Sequence, residues 1–345
     1  MTSVEKRMRS RFDRFLSSRD VRMGPSFMNS DLDPHRTAAS HAGHPIDNES
    51  HAKGDAPVPG PSESSTATPW QGLIAALRLV FPVGRNGRDL PTNAYGICIH
   101  WIVPLGLIVG LAWAGLFRVS WRIFGETGSL RPIPALAIVL LDCCFTGTFL
   151  VLGFARTVDT LTGATPATRP LDRSAPFSQI ASLALCLIIL TEFILILSIR
   201  PETPWWPSTG WRSKFNWLYP APIYRPLILA PLWGRWGMII AACVGRTGRD
   251  AEPEVRAFVA STRPLHLLTH AILPIVLSVI YCAKAGNYFV GLKLGLLVFG
   301  VTYMASVIMA RRGEGHTRYS LHAAAQIAQI ASLAVHRALW SEIHG

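Results

Sequence analysis

The stretch SQIASLALCLIILTEFILILSI (178–199) is apolar throughout, apart from the charged side chain of Glu192. A transmembrane helix needs about 20 mainly apolar residues, so this stretch is long enough to cross a bilayer. Five other runs have the same character, at 98–117, 133–155, 222–244, 265–283 and 288–310. A seventh run, 321–340, is rich in alanine and contains glutamine and histidine, so it is either a buried bundle helix or an interfacial helix. The sequence therefore predicts an all-α integral membrane protein, a bundle of about six or seven transmembrane helices.

The composition agrees with a membrane protein. The chain is 50% hydrophobic and 16% charged, with a mean hydropathy of +0.30, whereas soluble proteins carry about 25% charged residues. The net charge of +12 could suit nucleic acid, but a nucleic-acid binder carries that charge on a soluble face with interleaved aromatic residues. Here many basic residues flank apolar runs. We therefore expect the lipid bilayer as a partner and no nucleic acid.

The chain divides into a polar tail and a membrane domain. Residues 1–67 are rich in Arg, Ser, Pro, Asp and His without a lasting apolar period, which predicts a disordered basic and polar tail. Residues 68–345 are predicted to form the polytopic membrane domain. Its first segment, WQGLIAALRLVFPVGR (70–85), is amphipathic and is predicted to lie along the membrane interface.

Basic residues in the loops indicate the orientation of the bundle. With the N-terminus in the cytoplasm, the inner loops are 156–175, 246–263 and 311–318, and they hold more basic residues than the outer loops. This predicts a protein of the inner (cytoplasmic) membrane, with the N-terminus and these polar loops on the cytoplasmic side. A site for charged, nucleotide-like substrates is expected on that face.

Three ionisable residues fall inside predicted spans: Asp142, Glu192 and Arg235. Such groups are costly in a membrane unless they are paired. Arg235 is expected either to reach a phosphate or carboxylate inside the bundle or to form a structural ion pair, and the two acids are expected to be structural. His266 and His270 lie four residues apart on one helix face and are expected to line a polar seam.

Three polar segments lie at or near the ends of apolar runs, where a membrane phosphotransferase would need carboxylates to hold Mg²⁺. They are TGTFLVLGFARTVDTL (146–161), LDRSAPFSQIASLAL (171–185) and RRGEGHTRYSLHAAAQ (311–326). In this order they resemble the motifs of the cobalamin synthases, also called adenosylcobinamide-GDP ribazoletransferases. Weaker similarity at 73–85, 104–111 and 230–240 extends the resemblance from about residue 70 to residue 340.

The resemblance implies a function and a site. The family joins adenosylcobinamide-GDP to α-ribazole, or to its 5′-phosphate, at the membrane and releases GMP with the help of Mg²⁺. It implies that Asp159 and Asp172 are the metal ligands. The remaining roles that it implies are phosphate contacts by Arg156, Arg235 and Arg318, and hydrogen bonds to substrate by His316 and Thr317, with His316 a candidate proton acceptor.

The chain also departs from the family pattern, and the departures keep two alternatives open. Where the first motif has three aspartates, this chain has Leu152, Arg156 and Asp159, and the last motif has Arg318 and Tyr319 in place of glycine and aspartate. One alternative is therefore a catalytically lapsed or repurposed family member that binds, acts as a scaffold or uses another phosphoalcohol. The other is a small-solute transporter that uses the intramembrane charges.

Overall fold

The computed structural model describes residues 67–81, 90–125, 132–146, 149–163, 177–199, 222–248, 251–282, 288–313 and 315–339. Within these ranges the chain is helical and contains no β-strand, although an isolated bridge joins Thr247 and His316. The predicted all-α architecture is confirmed. The predicted tail, apart from its last residue, lies outside the described residues.

Eleven α-helices occur in the described ranges, and a 3₁₀ turn (Pro222–Tyr224) precedes the seventh. They are α1 (Pro69–Val80), α2 (Thr92–Ile97), α3 (Ile99–Phe124), α4 (Pro132–Phe145), α5 (Phe149–Thr162), α6 (Gln179–Leu197), α7 (Arg225–Val244), α8 (Pro253–Ser261), α9 (Pro264–Cys282), α10 (Phe289–Arg312) and α11 (Arg318–Ala338).

Five of these helices are long and apolar enough to cross a membrane: α3, α6, α7, α9 and α10. Several expose large apolar side chains, such as Leu183 and Leu187 on α6 and Leu268 on α9. Extended apolar surface of this kind is unfavourable in water and favourable against lipid. The length, composition and surface of the helices therefore agree with an integral membrane bundle.

The apolar run predicted as a span at 133–155 forms two helices in the structure. Helix α4 ends at Phe145 and α5 begins at Phe149, and the two helices are bent by 77°. At a rise of 1.5 Å per residue, neither 14-residue helix alone covers a hydrocarbon core of about 30 Å. The pair is therefore a broken span or a re-entrant loop. A hydropathy window cannot detect this break because both sides of it are apolar.

Helix α7 forms the centre of the bundle. Every residue from Arg225 to Ala242 is buried, and α7 packs against α3, α9, α10 and α11. A helix that is apolar on all sides is stable in such a position because protein covers every face. Two buried side chains in this helix are charged: Arg225 at its start, which donates to the Tyr281 carbonyl at 2.6 Å, and Arg235, which is fully buried.

Two glycines allow α3 to approach α7 closely. Gly106 and Gly110 form a GxxxG pattern, a spacing that brings helix backbones together in membranes. A Cβ atom at Gly106 would lie 2.8 Å from the carbonyl oxygen of Pro231, and one at Gly110 would overlap the backbone of Ile228. The side chain of Arg235 also lies against Gly106. This contact helps to fix the position of Arg235 in the bundle.

The seventh run is a buried bundle helix, which is the first of its two predicted alternatives. Helix α11 packs against α5, α7 and α10, and most of its residues are buried. Its alanines permit close packing, and its polar side chains face other helices rather than lipid. This explains why α11 is less apolar than the five candidate spans.

Helix α1 corresponds to the predicted interfacial segment. Thr68 and Gln71 form a capping box at its N-terminus. Its buried residues include Ala75, Ala76 and Leu79, whereas Trp70 is 67% exposed. The helix is thus amphipathic as predicted, and it packs on α2 and α3.

Candidate functional site

Asp159 lies near the end of α5 and is almost completely buried. Its Oδ1 atom accepts a hydrogen bond of 3.3 Å from the backbone N–H of Ser178, just before α6. Its Oδ2 atom is buried without a hydrogen-bond partner among the described residues. One oxygen therefore joins two helices, while the other is buried without a described partner. Asp172 lies outside the described residues, so its predicted pairing with Asp159 stays a prediction.

Arg156 is also buried and points towards the same helix junction. Its guanidinium carbon lies 4.4 Å from the centre of the Phe177 ring, in a cation–π contact. Asp159 and Arg156 thus contact consecutive residues, Ser178 and Phe177. Leu152, at the remaining aspartate position of this motif, supplies no charge.

Helix α5, which carries Arg156 and Asp159, packs against the start of α11. A Cβ atom added to Gly153 would lie 2.9 Å from both the Cβ of His322 and the carbonyl oxygen of Tyr319. One turn later, the Thr157 hydroxyl donates to the Gly153 carbonyl oxygen at 2.7 Å. The glycine therefore permits a close helix contact, and this contact joins the first and last sequence motifs.

Thr317 caps the N-terminus of α11. Its side chain accepts from the backbone N–H of Ser320, and the Ser320 hydroxyl accepts from the backbone N–H of Thr317 at 2.9 Å. This reciprocal capping box satisfies amide groups that would otherwise lack partners. The hydroxyl of Thr317 therefore has a structural role, and its predicted contact with substrate stays a prediction.

His316 is fully buried beside this cap. Its Nδ1 atom lies 3.1 Å from the Ser320 hydroxyl oxygen, and its Nε2 atom has no hydrogen-bond partner among the described residues. Burial lowers the pKa of His316 to about 4, so the ring is neutral at pH 7. The Nε2 edge of this neutral ring lies against Gly245, so the ring is an interior group of this end of the bundle.

The backbone of His316 pairs with the segment that follows α7. Its N–H donates to the Arg246 carbonyl at 2.6 Å, and its carbonyl accepts from the Gly248 N–H at 2.9 Å. Gly315 has a φ of +114°, a conformation that favours glycine. A Cβ atom at Gly315 would also lie 2.7 Å from the Gly248 nitrogen. The loops 246–263 and 311–318, which were predicted to share one face of the membrane, are therefore in direct contact.

Arg318 joins the same end of the bundle to α8 and α1. Its Nε lies 3.2 Å from Glu252 Oε2, its Nη2 lies 2.5 Å from Glu254 Oε2, and its Nη2 also donates to the Arg78 carbonyl at 3.3 Å. Arg318 is buried, whereas about a third of each glutamate is exposed. The guanidinium charge is therefore already balanced by protein, and its predicted phosphate contact stays a prediction.

Tyr95 on α2 extends this cluster. Burial raises its pKa to about 12, and the neighbouring Glu254 carboxylate contributes in the same direction. A neutral phenol can donate to the carboxylate, which a phenolate cannot. The cluster links α1, α2, α8 and α11 near the last sequence motif.

Arg235 lies in the interior of the bundle rather than in the polar loops. It interacts electrostatically with Asp142 and Glu192, and Glu192 accepts hydrogen bonds from Gln326 and Gln329 on α11. The three guanidinium nitrogens of Arg235 have no hydrogen-bond partner among the described residues. The structure thus places Arg235 among the acids of its predicted structural ion pair, and its predicted phosphate contact stays a prediction.

The described residues offer few ligands for a metal. They contain no group of three or more His, Cys, Asp or Glu side chains that could hold a metal ion. His266 and His270 face His100, with ring centres 5.9 and 5.0 Å away, and form a polar contact between α9 and α3. Of the two predicted metal ligands, Asp159 lies among the described residues and Asp172 does not, so the predicted magnesium site stays a prediction.

Some contacts of this end could not be found by motif reasoning. Glu252 and Glu254 pair with Arg318 across more than 60 residues of sequence, and Gly245 packs against the His316 ring. The sequence does contain a local signal at this place: Pro253 indicates the start of a helix, because proline is favoured in the first turn. It gives no information on the partner of either glutamate.

Comparison with known proteins identifies the family. The family model described as cobalamin-5-phosphate synthase matches residues 73–336. Searches of curated proteins and of solved structures found no match. The matched range contains the broken pair α4–α5, the central helix α7 and nearly all of α11. The chain belongs to the cobalamin-5-phosphate synthase family, whose members function in cobalamin synthesis.

Proposed function

We propose that this protein is a membrane transferase that moves the corrinoid phosphoryl group of adenosylcobinamide-GDP to α-ribazole 5′-phosphate or α-ribazole. A ribose hydroxyl of the acceptor forms a bond to the phosphorus attached to cobinamide. The bond from that phosphorus to the GMP oxygen breaks, and the hydroxyl proton passes to a base or to water. The products are GMP and cobalamin or its 5′-phosphate.

The observation that carries this proposal is the convergence of the motif segments at one end of the bundle. Gly153 of the first motif contacts Tyr319 and His322 of the last motif, and His316 pairs with the segment after α7. Asp159 lies on the same helix as Gly153 and keeps one buried oxygen free. A phosphotransfer site requires such a meeting of cationic, carboxylate and hydrogen-bonding groups.

Mg²⁺ is the proposed cofactor. It binds through one or two carboxylates together with substrate phosphates, so the free oxygen of Asp159 fits as one ligand, and we assign the second to Asp172. When bound, the ion would neutralise charge on the leaving GMP phosphate. Arg156 adds a positive charge near Asp159, where other family members have a carboxylate.

The remaining residues are proposed to position the site and its substrate. The His316 ring would position the loop 311–318 through its contact with the Ser320 hydroxyl, because its Nε2 is buried against Gly245. A pKa of about 4 makes this ring a weak base, so we assign it a hydrogen-bonding role rather than removal of the hydroxyl proton. Arg318 would reach a phosphate by exchanging one of its glutamate partners. We place this end of the bundle on the cytoplasmic side of the inner membrane, where nucleotides are available.

The test is turnover by the purified full-length protein in lipid vesicles. Adenosylcobinamide-GDP, α-ribazole 5′-phosphate and Mg²⁺ are supplied together, and each is omitted in turn. The proposal predicts cobalamin 5′-phosphate only in the complete mixture, at a rate at least a hundredfold above that of Asp159→Ala. Absence of product from well-folded protein would overturn the proposal.

One observation favours a repurposed family member as the second candidate. Arg156 replaces a carboxylate, and Arg318 is already held by Glu252 and Glu254. A site with more cations and fewer carboxylates can bind a phosphorylated ligand without transferring its phosphoryl group. Saturable binding of adenosylcobinamide-GDP without turnover would support this candidate, whereas Mg²⁺-dependent turnover would exclude it.

A further inference from the structure

Three charged side chains from three helices meet in the interior of the bundle. Asp142 on α4, Glu192 on α6 and Arg235 on α7 are between 0% and 2% exposed. Each interacts electrostatically with the other two. On α6, which exposes most of its side chains, Glu192 is one of only three buried residues in the described helix. The helix therefore turns its only charged group towards the protein and not towards lipid.

The charges of this triad do not balance if all three groups are ionised. Two carboxylates and one guanidinium leave one negative charge in a medium where an uncompensated charge is costly. One proton on either carboxylate makes the triad neutral. The guanidinium nitrogens have no direct hydrogen-bond partner among the described residues, so the charges compensate through space rather than through a tight ion pair.

The hydrogen bonds indicate which carboxyl group carries the proton. Gln326 Nε2 donates to Glu192 Oε2 at 2.7 Å, and Gln329 Nε2 donates to Glu192 Oε1 at 3.0 Å. With both amide groups in this orientation, each Glu192 oxygen accepts a hydrogen bond, as the two oxygens of a carboxylate do. Asp142 is held less firmly: Gln329 Nε2 lies 3.5 Å from its Oδ2, and its Oδ1 has no described partner.

The other groups that face the triad add no charge that would change this count. His322 on α11 is fully buried, and its burial, followed by the charges of Arg318 and Arg235, opposes a proton on its ring. Cys143 on α4 lies near both carboxylates and is an uncharged thiol neighbour. On α3, Gly106 lies against the Arg235 side chain and adds no charge there. Charge balance therefore rests on the triad itself.

We propose that the interior of the bundle contains a proton-binding site in which Asp142 is protonated, Glu192 is ionised and Arg235 balances the remaining charge. The site binds one proton per chain at neutral pH and keeps the centre of the membrane domain neutral where α4, α6, α7 and α11 meet. Loss of one member changes the protonation of another. This proposal does not depend on the phosphotransfer reaction proposed above.

Infrared spectroscopy of the full-length protein at neutral pH tests the assignment, because a protonated carboxyl group has its own C=O stretching band. Protein with a ¹³C label in the side-chain carboxyl group of aspartate should show a shifted band, and protein labelled in glutamate should not. This comparison uses wild-type protein, so it does not depend on the folding of any variant. A shift with the glutamate label alone would overturn the assignment, and absence of the band would overturn the proton site.

Three charge-removing variants test the charge balance. Asp142→Asn should remove the band directly. Glu192→Gln should also remove it, because Asp142 then ionises as the sole counter-charge of Arg235. Arg235→Gln should increase the band to about twice its intensity, because both acids then bind protons. Glu252→Gln is the matched control and should leave the band unchanged, since Glu252 is a partly exposed partner of Arg318. A band unaffected by all three triad substitutions would overturn the proposal.

Discussion

Asp159 holds the start of α6 against the end of α5, because its Oδ1 accepts the backbone N–H of Ser178 at 3.3 Å. The second oxygen of the same carboxylate is buried without a described partner. The two oxygens thus differ: one joins the two helices, and the other is the oxygen that we propose as a Mg²⁺ ligand. This division allows the two roles to be separated by substitution.

Asp159→Asn should keep the fold and lose the proposed activity. Its amide oxygen can still accept from Ser178, but the neutral side chain is a poor Mg²⁺ ligand. We expect an unfolding midpoint close to that of wild type and at least a hundredfold loss of turnover. Asp159→Ala should lose activity and also roughly 1–2 kcal/mol of stability, because it removes the hydrogen bond. Thermal unfolding and product formation are the measurements.

The matched control is Thr162→Ala, at an exposed position on the last turn of α5. It should leave turnover and the unfolding midpoint within error of wild type. Full activity of Asp159→Asn would show that the carboxylate charge is not needed at this site.

Arg318 should stabilise the contact of α11 with α8 through its two glutamates. Arg318→Met leaves Glu252 and Glu254 without their cation and should lower the free energy of unfolding by about 1.5–3 kcal/mol. The loss should stay below that of a fully buried pair, since each glutamate remains partly hydrated. A double-mutant cycle with Glu254→Gln should show a coupling energy of at least about 0.5 kcal/mol. A coupling energy of zero would contradict the ion pair.

Gly245 should be intolerant of a side chain because of His316. A Cβ atom at Gly245 would overlap the imidazole ring, which is fully buried and cannot move aside freely. Gly245→Ala is therefore expected to cost about 1–3 kcal/mol of stability. Gly115→Ala is the matched control, since no atom lies within 4 Å of its added Cβ, and it should be neutral or slightly stabilising. Equal unfolding midpoints for the two variants would contradict the packing described.

The buried ring of His316 predicts a decline in stability in acid. Its folded pKa of about 4 lies below the ordinary value of about 6.5, so above pH 6.5 the ring is neutral in both states. Between pH 6.5 and pH 4 the unfolded chain binds a proton that the folded protein does not. At pH 5 this should lower the free energy of unfolding by about 2 kcal/mol.

His316→Asn removes this titrating group. The difference in stability between pH 7 and pH 5 should therefore be smaller in the variant than in wild type, by about the same 2 kcal/mol. Denaturant unfolding at the two pH values measures both differences. Identical pH dependence in the two proteins would show that His316 can bind a proton in the folded state.

The helical bundle could be predicted from the sequence because apolar runs of about 20 residues have few alternatives in a membrane. Residues 178–199 and 288–310 differ from α6 and α10 only at their ends. The break between α4 and α5 could not be predicted in this way, because the apolar character continues on both sides of Thr146. The burial of α11 could not be predicted from a hydropathy average either, because it depends on which helices pack around α11.

The candidate site was predictable only in part. The motif positions Asp159, His316 and Thr317 follow from the resemblance, and the structure brings their helices into contact. The partners of Arg318 were not predictable, because Glu252 and Glu254 reach it only through the packing of α8 on this end. The hydrogen bonds from Gln326 and Gln329 to Glu192 likewise depend on tertiary packing, although the cost of a buried acid indicated that partners must exist.

The most direct test of the central claim is the stoichiometry of the two products in one reaction. Purified protein in vesicles receives adenosylcobinamide-GDP, α-ribazole 5′-phosphate and Mg²⁺, and mass spectrometry quantifies GMP and cobalamin 5′-phosphate over time. Phosphoryl transfer predicts equal amounts of both, with neither formed after Mg²⁺ is chelated. GMP released without the corrinoid product, or neither product from folded protein, would contradict the account.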